Sequence, residues 1–248
     1  MSIRKTATQL AKMRAAGRVV AEMHEKVRAA VVPGVTTARL DKIARDVIER
    51  RGATSNFLNY HGYPAVICAS VNEVVVHGIP SRRKLVEGDI VSIDCGAIID
   101  GWHADAAFTV GVGQIDDESQ RLIAAAEAGL DAAVAAMVEG NRLSDIGHAV
   151  ESVAVAAGFG VLRDYCGHGI GTAMHERPDV PNYGDPGKGL KLRPGIVLAV
   201  EPMLVTGEED VDVANDGWSV VTLDGGRAAH TEHTIVVTDD GPDVLTRP

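Results

Sequence analysis

The feature that most constrains this chain is a register it shares with itself. A shift of 106 residues sets Gly34 against Gly140, Leu40 against Ile146, Val47 against Val153 and Gly52 against Gly158. A shift of 107 residues sets Gly88-Asp-Ile-Val-Ser-Ile-Asp94 against Gly195-Ile-Val-Leu-Ala-Val-Glu201. Amphipathic helices resemble one another, so the helix positions alone support a duplication only weakly. An apolar strand ending in an acid, at the same offset after each helix pair, supports it better. The expectation is an α+β fold with pseudo-two-fold internal duplication, an antiparallel sheet flanked by helix pairs. The halves fall at about 6–112 and 113–240, with their acids meeting near the pseudo-axis.

Local signals agree with that order. Thr6 and Gln9 have capping-box spacing, and the helix they open reads to about Val32, before Pro33-Gly34. In the next segment Leu40, Ile43, Ala44, Val47 and Ile48 recur at helical spacing, with Gly52 as the stop. Residues 64–111 are rich in Val and Ile and punctuated by Gly, as strands are. The helical pattern returns over 116–140 and 143–158, and after Gly158 the chain is strand-like again.

Composition removes several function classes. A net charge of −10 argues against nucleic acid as a partner, because phosphate binding needs clustered Lys and Arg. Three cysteines, Cys68, Cys95 and Cys166, form no C-x-x-C pair. Neither a disulfide framework nor a zinc knuckle is expected, and reduced thiols point to the cytosol. No apolar run reaches signal-peptide or membrane-span length, so a cytoplasmic protein without membrane contact is expected. The 248 residues are read as one domain spanning 1–248.

Asp94 lies inside the otherwise apolar IVSIDCG, where a lone acid is ordinarily an edge or surface position. Asp100-Gly101 changes that reading, because it is a hairpin turn signal. A two-residue loop there pairs Asp94 with Ala107 and makes Asp105 its diagonal neighbour, roughly 7–8 Å away on the same face. Two carboxylates aimed at one point repel by about 4 kcal/mol at about 4 Å and an effective dielectric of about 20. Two cations about 3.5–4 Å apart turn that repulsion into attraction. Taken alone, Asp105 would simply solvate the hairpin.

His168 sits in Cys166-Gly-His168-Gly-Ile-Gly171, where flanking glycines allow close backbone approach. In isolation this would be a Gly-rich turn with an incidental His. His175 follows seven residues later, too far for one helical face, and is expected on a separate wall of the same pocket. His77 ends an apolar strand at a Gly-Ile-Pro break. Glu201 ends IVLAVEPM before a proline, which suits a strand edge. Glu232 precedes a further apolar run and has histidines on both sides. A buried Glu needs a cation or a proton, although Glu232 alone would read as a polar strand start.

Together VVHGIP, SIDCG, DGWHAD, GHGIG, MHERP, AVEPM and TEHTIVVTD resemble the type I methionine aminopeptidases, of the pita-bread fold, from about Thr6 to Asp240. The resemblance implies that Asp94, Asp105, His168, Glu201 and Glu232 bind two divalent cations. Such an oxygen-rich set is compatible with Mn, Fe, Co or Zn. It implies a metal-activated water, with Glu201 as proton shuttle, His175 stabilising the oxyanion and His77 contacting the scissile amide. It places Tyr60, Tyr63, Cys68 and Trp218 on the wall of an apolar methionine pocket. Phe57 stands where the family commonly has a small residue or Cys, and Met174 where it commonly has an aromatic. Plain core packing is the bland alternative for all of these.

The implied substrates are N-termini of nascent polypeptides near the ribosome, with a small second residue, and the implied state is a monomer. The chain begins almost directly at the catalytic domain, so the N-terminal extension of some relatives is expected to be absent. Proline-specific peptidases of the same fold usually carry a separate N-terminal domain, for which this length leaves no room. A binding protein that had lost its metals would not keep all five ligand positions filled. A closed structural site would not need His77 and His175 nearby.

Overall fold

The computed structural model describes residues 3–247; residues 1, 2 and 248 of the expected domain lie outside the described residues. Helix α1 spans Ala7–Ala30 and begins with the expected capping box, in which the Gln9 N–H donates to Thr6 Oγ1 and the Thr6 N–H donates to Gln9 Oε1 at 2.8 Å. It ends short of Val32, because Val31 is already extended and a residue before proline disfavours helical backbone. Helix α2 spans Thr37–Arg50 and is capped by Thr36.

Helix α3 covers Asp117–Ala136 behind Asp116, ending before the expected Gly140. Met137 turns out of the helix into complete burial, and the Asn141 amide donates to the Ala136 carbonyl at 2.9 Å. Helix α4 covers Leu143–Ala157 and stops at Gly158, left-handed with φ 82°.

The expected antiparallel sheet is divided into four among the described residues. Central to the first is Ile90–Ile99, with Trp102–Gly111 on one edge and Thr54–Ser55 and Ile67–Val71 on the other. The hairpin is the expected one. Asp100 and Gly101 take φ 49° and 74°, and Asp94 pairs with Ala107 and Gly96 with Asp105. In the five-stranded sheet the order is Gly241–Val244, His233–Thr238, Val197–Val200, Gly167–Gly169, Glu176–Val180. Two three-stranded sheets complete the set, one containing Met203–Val205 and Ala228–His230 and the other Val74–Val76.

Period-two alternation decides which residues face the helices. Along the hairpin Val91, Ile93, Cys95, Ala97, Ala104, Ala106 and Phe108 share a core with Val20, Met23 and Val27 of α1 and Leu40, Ala44 and Val47 of α2. Their alternates, among them Asp94 and Asp105, are thereby turned to the opposite face. Leu198, Val200, Ile235 and Val237 pack in the same way with α3 and α4 residues, including Ala133, Ile146 and Val150.

The stretch His230–Thr234 ties the hairpin to the C-terminal strands. His230 N–H donates to Thr109 Oγ1 at 2.9 Å, Glu232 N–H donates to the Ala107 carbonyl at 2.9 Å, and Thr234 Oγ1 accepts from Asp105 N–H at 2.9 Å. These contacts step along both segments in opposite directions. Glu232 is thereby fixed beside Ala107, which is itself paired with Asp94.

Candidate active site

Where these elements meet there is a cavity of about 380 Å³. All thirteen side chains singled out in the sequence line it: Asp94, Asp105, His168, Glu201 and Glu232, then His77 and His175, then Phe57, Tyr60, Tyr63, Cys68, Met174 and Trp218. They come from separate segments. Asp94 and Asp105 sit on the two hairpin strands, and His168 is at the middle of Gly167–Gly169. Glu201 directly follows Val197–Val200, and Glu232 directly precedes His233–Thr238.

The glycines around His168 are there for space. A Cβ on Gly167 would stand 2.4 Å from the Ala199 carbonyl oxygen, and one on Gly169 would stand 2.5 Å from that of Arg177. The flanking strands can therefore close on both sides of His168. Its Nδ1–H donates to the Gly169 carbonyl at 2.9 Å, which leaves Nε2 as the free ring nitrogen. That nitrogen faces Glu201 Oε1 at 3.7 Å.

His175 reaches the same place by strand pairing rather than by helical spacing. Gly169 pairs with Glu176 across the irregular loop 170–175, which brings the two histidines beside each other, ring centroids 4.3 Å apart. Tyr60 Oη is 2.8 Å from His175 Nδ1. His77 takes φ 62°, a left-handed conformation uncommon outside glycine, of a kind that persists where surrounding structure over-determines it.

Phe57, Tyr63, Cys68 and Met174 are buried and form a cluster of their own with Ala65, against which Tyr60, Ile79 and Trp218 pack. The Trp218 and Tyr63 rings meet edge to face at 5.1 Å, and Phe57 meets Tyr63 at 6.5 Å. The Tyr63 hydroxyl lies 3.1 Å from the Ile67 carbonyl and 3.0 Å from that of Gly78, so the ring is held rigid. Phe57 adds bulk to this wall and Met174 contributes a flexible thioether.

A family model described as metallopeptidase family M24 matches residues 11–239. The chain belongs to metallopeptidase family M24. Over 249 residues it is 53% identical to methionine aminopeptidase 1 of Mycobacterium tuberculosis (strain CDC 1551 / Oshkosh), covering 98% of this chain and 94% of that one. Methionine aminopeptidase 1 of Bacillus subtilis (strain 168) is 46% identical, with 100% of each chain covered. The crystal structure of methionine aminopeptidase from Thermotoga maritima superposes with a TM-score of 0.97 at 42% identity, covering 98% of both chains.

The acids of this M24 chain behave as a group that wants positive charge. Asp105 and Glu232 are almost completely buried. Burial first, and then the charges of Asp94 and Glu201, joined at Glu232 by that of Asp105, hold both carboxyls well above their usual range. Burial and the Glu201 charge push Asp94 up to about 7, against the lowering influence of His230. Asp94 Oδ1, Asp105 Oδ1 and Glu232 Oε1 are buried with no hydrogen-bond partner. Three partnerless carboxylate oxygens and the free Nε2 of His168 fit the divalent metal binding implied by the family. Asp105, His168 and Glu232 bring one donor atom each within 4.8 Å of one another, and so do Glu201, His230 and Glu232.

His61, Val76, Tyr165, Cys166, Met203 and His230 also line the cavity and were not among the site residues expected from the sequence. For His230 a signal existed. It precedes Glu232 by two positions, the spacing that puts two side chains on one face of an extended segment. For Tyr165 and Met203 there was none, since ordinary aromatic and apolar residues acquire meaning only from the walls they meet.

Proposed function

We propose that this chain hydrolyses the N-terminal methionine from proteins and peptides whose second residue is small, using two divalent cations held by Asp94, Asp105, His168, Glu201 and Glu232. One observation carries the reading: buried carboxylate oxygens without partners converge beside a separate apolar cluster built from Phe57, Tyr60, Tyr63, Cys68, Met174 and Trp218. The first arrangement suits cations and the second suits an unbranched thioether side chain. Relatives named methionine aminopeptidase match along the whole length, which supports the same reading. Mn, Fe, Co and Zn all suit an oxygen-rich donor set of this kind.

Bound divalent cations would polarise the peptide carbonyl and lower the pKa of water. Glu201, at the end of its strand and facing the cavity, takes the proton of the attacking water and returns it to the leaving amine. Partial burial and the neighbouring His168 lower the His175 pKa to about 4, so the ring is neutral at neutral pH. With Tyr60 donating to Nδ1, the His175 Nε2 carries the proton and donates it to the oxygen that becomes negative. His77 contacts the amide on the far side of the scissile bond. The apolar wall excludes charged side chains, because burying a Lys or Glu head there without a partner would cost several kcal/mol.

The chain is read as a single catalytic domain over 1–248 with internal halves near 6–112 and 113–240. It works as a monomer in the cytoplasm on nascent N-termini near the ribosome. Three free cysteines suit that compartment, and no described helix is long and apolar enough to cross a membrane.

The test is kcat/KM on Met-Ala-Ser, Met-Leu-Ser, Leu-Ala-Ser, Lys-Ala-Ser and an X-Pro peptide, after chelation and add-back of each metal. Met-Ala-Ser should lead clearly under one metal, with no turnover after chelation. Comparable rates on Leu-Ala-Ser or Met-Leu-Ser would make this a broad aminopeptidase, and preference for X-Pro a proline-specific one.

A further inference from the structure

His230 is placed as no ordinary core histidine is. It is only 2% exposed, and its Nε2 is buried with no hydrogen-bond partner. A buried polar atom left unpaired is costly. Glu201 Oε2 lies 3.5 Å from this nitrogen and Glu232 Oε2 lies 3.9 Å from it. Both are longer than an N–H···O bond. The first suits two atoms bound to one ion instead, since ligands about 2.1 Å from a cation stand roughly 3–3.5 Å apart at right or tetrahedral angles; the second is within reach of the same ion at a wider angle.

His168 provides the comparison. Its free Nε2 faces Glu201 Oε1 at 3.7 Å, so the Glu201 carboxylate lies between two imidazoles and presents one oxygen to each. Around it the donor atoms fall into two groups that share Glu232: one with Asp105 and His168, the other with Glu201 and His230. The backbone of His230 is held by Thr109, whose hydroxyl accepts from the His230 N–H at 2.9 Å and contacts the His230 carbonyl at 2.8 Å. The ring is thus presented from a fixed strand.

We propose that His230 is a sixth ligand of the dinuclear centre, binding through Nε2 the ion on the Glu201 side, so that each ion receives one imidazole. This rests on the two-cation reading above. A second imidazole makes the centre richer in nitrogen and moves its preference from Mn towards Fe, Co and Zn.

Proton NMR of the fully loaded Co(II) enzyme decides it, because each coordinated imidazole with a ring N–H gives one exchangeable hyperfine-shifted resonance, lost in D2O. Two such resonances are expected. The His230→Gln variant should lose one and bind one Co(II) equivalent at least about tenfold more weakly by calorimetry, a loss of the size that even an outer partner can cause. Affinity alone therefore does not decide. A single resonance in the wild-type enzyme at two bound Co(II) would overturn the proposal and leave His230 as a hydrogen-bonding neighbour of Glu201. So would a second resonance that survives in folded His230→Gln and disappears in His175→Gln. The wild-type count does not depend on either variant folding. Absence of any bound Co(II) would instead overturn the metal reading itself.

Discussion

Tyr60 Oη lies 2.8 Å from His175 Nδ1, a contact between residues 115 positions apart. It joins a residue of the apolar wall to the histidine proposed above as the oxyanion donor. On that proposal the phenol donates to Nδ1 and keeps the ring proton on Nε2, so that the apolar wall and the oxyanion donor act as one unit.

Tyr60→Phe keeps the ring of that wall and removes the hydroxyl. A neutral hydrogen bond contributes about 0.5–1.5 kcal/mol, so kcat should fall roughly three- to tenfold while KM for Met-Ala-Ser changes little. Steady-state kinetics on that peptide checks it; an unchanged kcat would remove Tyr60 from the orientation of His175.

Asp105→Asn should abolish hydrolysis and leave the fold intact. A neutral amide cannot offset cation charge, and loss of affinity should exceed the roughly 10–100-fold typical of an outer partner. The same change removes one of the crowded buried carboxyls, so the metal-free protein should melt higher than wild type even as the loaded one melts lower. Thermal scans with and without metal, beside turnover at equal occupancy, separate the two effects.

His175→Ala should lower kcat by roughly 10²–10³, the usual loss for one oxyanion donor, with bound metal retained. Metal analysis of the purified variant is the control. Disappearance of metal together with activity would make His175 a ligand.

The metal-free protein should lose stability as pH rises past about 6.5, the unfolded histidine pKa. Asp94, Asp105 and Glu232 hold protons in the folded state at pH values where unfolded carboxyls, with pKa of about 4, have lost them. The folded state therefore binds more protons, and stability falls as pH climbs through the raised values. Burial lowers His24 to about 3 and His233 to about 4, which acts in the opposite sense, but only below the unfolded histidine pKa of about 6.5. Between the histidine range and about pH 8, below the range in which the buried Cys68 and Cys95 thiols add to the same trend, the window belongs to the acids. Melting curves of chelated protein between about pH 6.5 and about pH 8 should slope downward. Calorimetry at about pH 7 should detect protons released as metal binds. A flat melting profile would contradict the raised values.

Much of the fold was legible because its determinants are local. Thr6, Asp116 and Gly158 mark helix ends by their own backbone preferences, and Asp100-Gly101 selects a two-residue turn. Once that turn is set, period-two geometry places Asp94 and Asp105 on one face with no further information. Helix ends were less legible where a distant contact overrode local preference: Met137 leaves α3 to fill a core built partly from residues far along the chain.

The amino-acid sequence by itself determined the order of elements, the hairpin register and which acids and histidines carry candidate chemistry, because caps, turns and alternation act over a few residues. Only the tertiary structure decided that His175 stands beside His168 and under the hydroxyl of Tyr60. It also decided that Glu232 is fixed to Ala107 and that His230 faces the centre with an unpaired nitrogen. The first of these depends on the pairing of Gly169 with Glu176 across the 170–175 loop, and the others on contacts between residues more than a hundred positions apart, which form when distant segments are packed together rather than from any local preference of the residues they join.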